Sequence, residues 1–336
     1  MRIAYLADLT SANGYYRAIG PMEALERRGH QVYNVPTADP RGAAAAMPGI
    51  DVLHVHRFVE PPVQELVRAA RAAGTVVVWD NDDDMGSVPK GTAAYQHTGG
   101  INWERRLASM RRLFRDVTLV TSPSAVLAQR LGELGAARTA VIENFVPDEF
   151  VQATPEPHDG VVIGWIAGLE HQLDAERMPI RAVLERLLEE RPEVRVVTLG
   201  LRLGLKSPRY ENRKHIPLLE LAQQAAAFDV AIAPILDLDF NRSRSNVKLK
   251  EYAAAGVPWL ASPVGPYAEL GEKHGGRLVP DDGWHAALTQ LIDRPRERRK
   301  LAKRGRRWAA GQTITKNAER WEACLGEVVA RARAAA

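Results

Sequence analysis

The sequence predicts two doubly wound α/β domains, each built on a parallel sheet. Three observations carry this. The chain has 336 residues, more than most single cores hold, so two domains of ordinary size are expected. Short β-rich runs alternate with amphipathic helical stretches along its whole length, the pattern of βαβ units with helices on both faces of a sheet. The alternation breaks once, at "NFVPDEFVQATPEPHDG" (144–160), where prolines and acids without periodicity read as an interdomain linker.

In chain order, the first half offers strands in "RIAYLA", "QVYNV", "DVLHV", "TVVVW", "VTLVT" and "TAVI". Helical spacing falls at Gly20–Arg28, Pro62–Ala73, Trp103–Phe114 and Ser124–Leu134. After the linker come the strands "VVIGWIA", "VRVVTL", "VAIAP", "PWLAS" and "RLVP". Helices are expected at Ile180–Glu190 and Leu218–Phe228, and the tail from Trp284 to Ala335 reads as almost entirely helical. In open α/β sheets ligands bind at the carboxyl ends of the strands, so two such domains facing each other make a cleft.

Composition narrows the class. Hydrophobic residues at 46% with 26% charged residues describe a globular chain. The single cysteine, Cys324, excludes an intramolecular disulfide framework and a Cys-rich zinc site. No signal-peptide core is present, and no run approaches the roughly 18 apolar residues of a membrane span; the reading is a soluble cytoplasmic protein. There is no G-x-G-x-x-G after a strand, no G-x-S-x-G elbow and no H-E-x-x-H helix, and "GLRLGLKS" (200–207) has the wrong spacing for a P-loop. The net charge is +4, but "RPRERRKLAKRGRR" (294–307) holds nine basic residues and one acid. It reads either as a solvated helix face or as a contact for an anionic membrane or nucleic acid.

The stretch "FNRSRSNVKLKEYAAAGVPWLAS" (240–262) points to a ligand. Asn246–Ala255 reads as a helix with Ser245 as N-cap. A helix start favours acidic neighbours, yet Arg242, Arg244, Lys248 and Lys250 crowd this one. Free backbone N–H groups supplemented by Arg and Lys suit a diphosphate. Glu251, one turn beyond Lys248, either accepts from a sugar hydroxyl or pairs with Lys248.

The block 228–267 ("FDVAIAPILDLDFNRSRSNVKLKEYAAAGVPWLASPVGPY") resembles the donor-binding region of GT-B-fold glycosyltransferases of the group 1, family-4-like type. "IGWIAGLEHQLD" (163–174), "IDVLHVHRF" (50–58) and "NGYYRAIGPMEALERRGHQV" (13–32) resemble further segments of that family, in the right order. The resemblance implies two Rossmann-like domains facing a central cleft. Residues 1–150 would bind acceptor, 151–310 would bind a nucleotide sugar, and a C-terminal helix within 311–336 would cross back to the first domain, with 144–160 as hinge. It implies a UDP- or GDP-sugar as co-substrate, no tightly bound cofactor and no metal.

By this resemblance Glu251 corresponds to the later Glu of the E-x7-E motif, while the earlier one falls at Ser243. Expected donor contacts are Gly168, His171, Asp174, Lys206, His215, Ile216, Arg242, Arg244, Ser245, Asn246, Val247, Lys248 and Glu251. Expected acceptor contacts are Gly14, Tyr15, Tyr16 and Arg17; Arg17 is alternatively a brace for the diphosphate. Asp80, Asp82, Asp83 and Asp84 end a β-rich run in the acceptor domain, and four carboxylates so close need compensation. Asp82 and Asp83 are candidate bases. His54 and His56 are read as facing opposite sides of a strand, with His56 as the site candidate. The implied activity is transfer of a sugar to an acceptor hydroxyl. Alternatives are a nucleotide-sugar epimerase of the same fold, a transferase acting on modified DNA bases, and a nonenzymatic sugar-nucleotide or glycan-binding module.

Overall fold

The computed structural model describes residues 1–155, 157–214 and 216–335. It contains two six-stranded sheets, parallel throughout. The first runs β2-β1-β3-β4-β5-β6, from β1 (Arg2–Leu6), β2 (Gln31–Asn34), β3 (Val52–His56), β4 (Val76–Asp80), β5 (Leu119–Ser122) and β6 (Thr139–Val141). The second runs β12-β11-β10-β7-β8-β9, from β7 (Val161–Ala167), β8 (Val194–Gly200), β9 (Tyr210–Arg213), β10 (Val230–Ala233), β11 (Trp259–Ala261) and β12 (Gly276–Leu278). In each sheet the strand order reverses beside the first strand, β1 or β7, and such a switch point is where an open α/β sheet leaves a crevice.

The sequence signal for β9 was too weak to read. Tyr-Glu-Asn-Arg is a half-buried edge strand with no apolar run. The central strands β3, β4, β7 and β10 are rich in Val and Ile and wholly buried, as expected where both faces of a parallel sheet are covered. On β3 and β4, Leu53, Val55, Val77 and Trp79 enter one core, while Val52, Val76 and Val78 enter the opposite one. The second core is closed by the C-terminal helix Ala318–Ala335, through Trp321, Leu325 and Val328.

Strand residues two apart share a face, so the expectation that His54 and His56 point opposite ways is corrected. In register, His54 pairs with Val78 and His56 with Asp80, both on the side of the C-terminal helix. His54 packs edge-on against Trp321 with neither ring nitrogen hydrogen-bonded.

The stretch read as an interdomain linker does lie between the two sheets, and it carries local structure of its own. Glu149–Gln152 is a short helix, and Phe150 is buried in a core of the second sheet, with Val162, Leu249 and Tyr252. Val146 pairs with the returning segment: its N–H donates to Gln312 O (3.0 Å), and Ile314 N–H donates to Val146 O (2.9 Å). The chain thus crosses between the sheets twice, and the crossings are hydrogen-bonded to each other.

Candidate functional site

A cavity of about 370 Å³ opens between the carboxyl ends of the two sheets. The first half contributes Ser11, Ala12, Asn13 and Tyr16 after β1, Asp82 and Asp83 after β4, and Asn144 after β6. The second contributes Ile166, Gly168 and Glu170 at the end of β7, Leu218 and Leu221, and Arg244, Ser245, Val247, Lys248, Glu251 and Tyr267.

On the first side the charges are largely satisfied. A π-helical turn, Tyr15–Ile19, directs Arg17 inward, where it is fully buried. Arg17 donates to Asp80 through Nε (3.0 Å) and Nη2 (2.7 Å), and to Asn144 Oδ1 (2.8 Å). Thr121 Oγ1 also donates to Asp80, and Trp321 lies 5.1 Å from the guanidinium. Burial opposes ionisation of Asp80, but Arg17 outweighs it and holds the carboxyl below its ordinary range. Arg17, expected as an acceptor contact or a diphosphate brace, is thus buried behind the cavity wall and does not line it.

Tyr15 packs against Ala24, Phe145, Ile314 and Ala318, and burial pushes its hydroxyl up to about 12. Gly14 is needed for a backbone approach, but to Asp8 rather than to a ligand. A Cβ there would lie 1.9 Å from the Asp8 carbonyl oxygen.

Arg57, in the left-handed region at φ 66°, bridges the two candidate bases. It donates to Asp82 (2.5 Å) and to Asp83, while its outer face is accepted by Asn13, whose amide oxygen turns toward it (2.9 and 3.1 Å). His56, itself buried, lies beneath with Nε2 3.2 Å from Asp82 Oδ1. The two carboxylates diverge. Burial works against ionisation of Asp82, but Arg57 and His56 drive its pKa well below the usual range, which leaves it a poor base. Burial, with Asp82 and Glu170 nearby, raises Asp83 despite Arg57 and Arg244. Asp83 keeps 21% of its side chain exposed at the cavity, against 5% for Asp82. His56 does not reach the cavity wall.

The second side is more open. The predicted helix begins at Val247 and runs to Ala254, capped at Asn246 with no side-chain cap bond. Ser245 is not the expected cap, because Asn144 Nδ2 donates to its hydroxyl (3.2 Å) and that oxygen sits 3.5 Å from Val247 N. Two of the four crowding cations are already used. Arg242 is exposed and paired bidentately with Asp237 (2.6 and 2.8 Å), facing away from the cavity. Lys250 is buried and donates to Glu143 Oε2 (2.8 Å) and Asn144 O (2.9 Å), strapping the two halves together. Arg244 and Lys248 remain at the cavity wall.

Glu251 accepts from the Tyr16 hydroxyl across the cleft. Its second oxygen, Oε2, is buried at the cavity without a hydrogen bond, 3.6 Å from Lys248 Nζ. A buried carboxylate oxygen left so costs free energy unless a donor arrives.

His171 and Asp174 form a brace beneath the cavity. His171 Nδ1 meets Asp174 Oδ2 at 2.8 Å, and Asp174 Oδ1 accepts from Leu236 N (2.9 Å) and Asn241 Nδ2 (3.1 Å). Burial, then Arg244, lowers the His171 pKa against the opposing pull of Asp174 and Glu170, and its Nε2 lies 3.3 Å from Arg244 Nη1. Neither His171 nor Asp174 lines the cavity, and neither do Asn246, Lys206, which is exposed, and Ile216, which packs on a core of the second sheet. His215 lies outside the described residues.

Among the contributors that sequence reasoning missed, four bear on the charges of the site. Arg57 follows the "DVLHVH" strand, Asn144 opens the linker, Asn13 precedes Gly14, and Glu170 sits inside "GLEHQLD". Glu170 Oε1 accepts from Arg244 Nη2 at 3.4 Å. Burial opposes its ionisation, but His171, Arg244 and Lys248 pull its pKa down to about 2. A polar residue just past a strand's carboxyl end was the available signal for Arg57 and Glu170.

Among the described residues, no group of three or more His, Cys, Asp or Glu side chains is placed to hold a metal ion, and no helix is long and apolar enough to cross a membrane.

Residues 177–323, a little under half of the chain, match the family model described as glycosyl transferase-like. Comparison with curated proteins gives no match. Among solved structures, the fold is similar to that of Anabaena Alr3699/HepE in complex with UDP and glucose, with TM-score 0.68, 14% identity, 97% of this chain and 100% of that one. It is similar to sucrose-phosphate synthase from Thermosynechococcus elongatus, with TM-score 0.69, 15% identity, 98% and 100% coverage. It is also similar to a UDP-forming alpha,alpha-trehalose-phosphate synthase from Burkholderia xenovorans, in complex with glucose-6-phosphate, with TM-score 0.64, 12% identity, 97% and 100% coverage. The chain thus has the two-domain GT-B fold from end to end, and it carries a glycosyl transferase-like segment over residues 177–323.

Proposed function

We propose that this protein is a glycosyltransferase that moves a sugar from a nucleotide-diphosphate sugar, a UDP-sugar, to an acceptor hydroxyl. One observation carries the reading: Arg244, Lys248 and the uncapped start of the Val247–Ala254 helix face the cavity together with an unpaired oxygen of Glu251. The first three can receive a diphosphate, and the fourth can accept from a ribose hydroxyl. UDP is favoured over GDP because HepE is described with UDP and UDP-glucose, and the trehalose-phosphate synthase is described as UDP-forming.

In the reaction, the bond between the anomeric carbon and the diphosphate oxygen breaks as the acceptor oxygen bonds to that carbon. Negative charge gathers on the departing diphosphate, and preorganised donors there lower the barrier. Arg244, Lys248 and the helix N–H groups are those donors. The acceptor lies against Asn13 and Asp83, and its proton passes to Asp83 or to the departing phosphate. Asp82 serves to hold Arg57.

The test is a panel of nucleotide sugars, read by thermal shift, nucleotide release and the identity of the sugar nucleotide recovered. UDP-sugars are expected to stabilise the protein and to release UDP only when acceptor is added. Asp83→Asn should keep the stabilisation and slow release about 10²–10⁴-fold. An isomerised donor without acceptor would indicate an epimerase, and no stabilisation by any nucleotide would sink both.

A further inference from the structure

The basic stretch at 294–307 becomes specific once it is folded. It forms the helix Pro295–Ala309, whose buried stripe is Leu301, Gly305 and Ala309. At about 100° per residue, Arg296, Arg299, Lys300, Lys303 and Arg307 fall within an arc of about 100° directly opposite that stripe. All five are exposed, and among the described residues none has an ion-pair partner. The other four bases of the stretch are engaged elsewhere: Arg304 on Glu272 (2.7 Å), Arg298 on the Leu291 and Ile292 carbonyls (2.6 and 2.7 Å), Arg306 on the Ala255 carbonyl (3.3 Å), and Arg294, just before the helix, beside Glu297 (3.8 Å). The nearby acids thus pair with the flanks and leave the outward row bare.

We propose that this row docks the protein on an anionic lipid surface. The chain carries 45 basic and 41 acidic residues; without these five bases its balance is −1. The five bases thus carry more than the whole net positive charge of the chain, and an anionic plane attracts and orients a body that presents such a row. The five charges form one row about 16 Å long on a convex helix face, so a plane meets all of them at once. The row contains no aromatic side chain to stack on bases and no Asn or Gln to read base edges. It has no apolar residue to insert either, so attachment is electrostatic and salt-sensitive.

The experiment is flotation of the intact protein with vesicles of pure phosphatidylcholine and of phosphatidylcholine with about one third phosphatidylglycerol. Binding is expected only to the anionic vesicles and should be lost at high salt. The variant carrying R296Q, R299Q, K300Q, K303Q and R307Q should bind at least about tenfold more weakly, with its UDP thermal shift unchanged. K300R with K303R should bind as the parent does, as should a control with R68Q, R105Q and R111Q, exposed bases elsewhere. Equal binding to neutral vesicles, no binding to either kind, or equal loss in the control would overturn the proposal. Retention of duplex DNA or RNA in a gel shift without vesicle binding would overturn it in favour of a nucleic-acid partner.

Discussion

At the carboxyl end of the first sheet, the two arginines at and beneath the cavity wall have buried or half-buried partners. Arg17 is held by Asp80 and Asn144, and Arg57 by Asp82, Asp83 and Asn13. At the carboxyl end of the second sheet the same kind of loops leave charge in reserve. Arg244 has only long contacts, to Glu170 and to His171, Lys248 lies 3.6 Å from Glu251, and one Glu251 oxygen accepts no hydrogen bond. Satisfied ion pairs rigidify a wall, while unsatisfied ones wait for a ligand. The contrast assigns a shaping role to the first half and an anion-receiving role to the second.

Breaking the satisfied side should have the largest effect, and on stability. Arg17→Met leaves Asp80 buried and unpaired, and unfolding in urea should show a loss of about 3–5 kcal/mol. Next comes His54. Its pKa is lowered to about 4 by burial, with His56 and Arg17 adding to the depression. The folded ring stays neutral while the unfolded chain takes up a proton below 6.5, so stability falls as pH drops from 6.5 to about 4. The share from this group is at most about 3 kcal/mol. The difference between parent and His54→Leu in denaturant titrations should close over that window; a pH-independent difference would refute the assignment.

Smaller effects separate the two arginines of the predicted crowd. Arg244→Ala should weaken UDP binding about 10–100-fold by calorimetry, the scale of one charged hydrogen bond. Arg242→Ala should change it less than about threefold and cost at most about 1 kcal/mol of stability, because its pair with Asp237 is exposed. Equal effects would erase the distinction between spent and reserved charge.

Residues near in sequence were readable. The strands from "RIAYLA" to "RLVP" and the long helices declare themselves by periodicity, and the start at 245–248 by its unusual charge. Partners distant in sequence were not. Nothing in "NGYYRAIG" says that Arg17 turns inward to meet Asp80, 63 residues away. Tyr16 and Glu251 are 235 residues apart, and the Ser245 hydroxyl accepts from Asn144, 101 residues away. The linker is a similar case, since Val146 acquires strand character only by pairing with the segment that returns at 312–314.

The sequence by itself determined two parallel sheets, the cleft between their carboxyl ends and a cationic helix start beside it. Period and propensity are local, and strand polarity follows from the alternation of strand and helix. Only the tertiary structure decided which cations remain available. Availability depends on the acids that folding brings within hydrogen-bond reach, and each such acid converts a potential ligand contact into a strut.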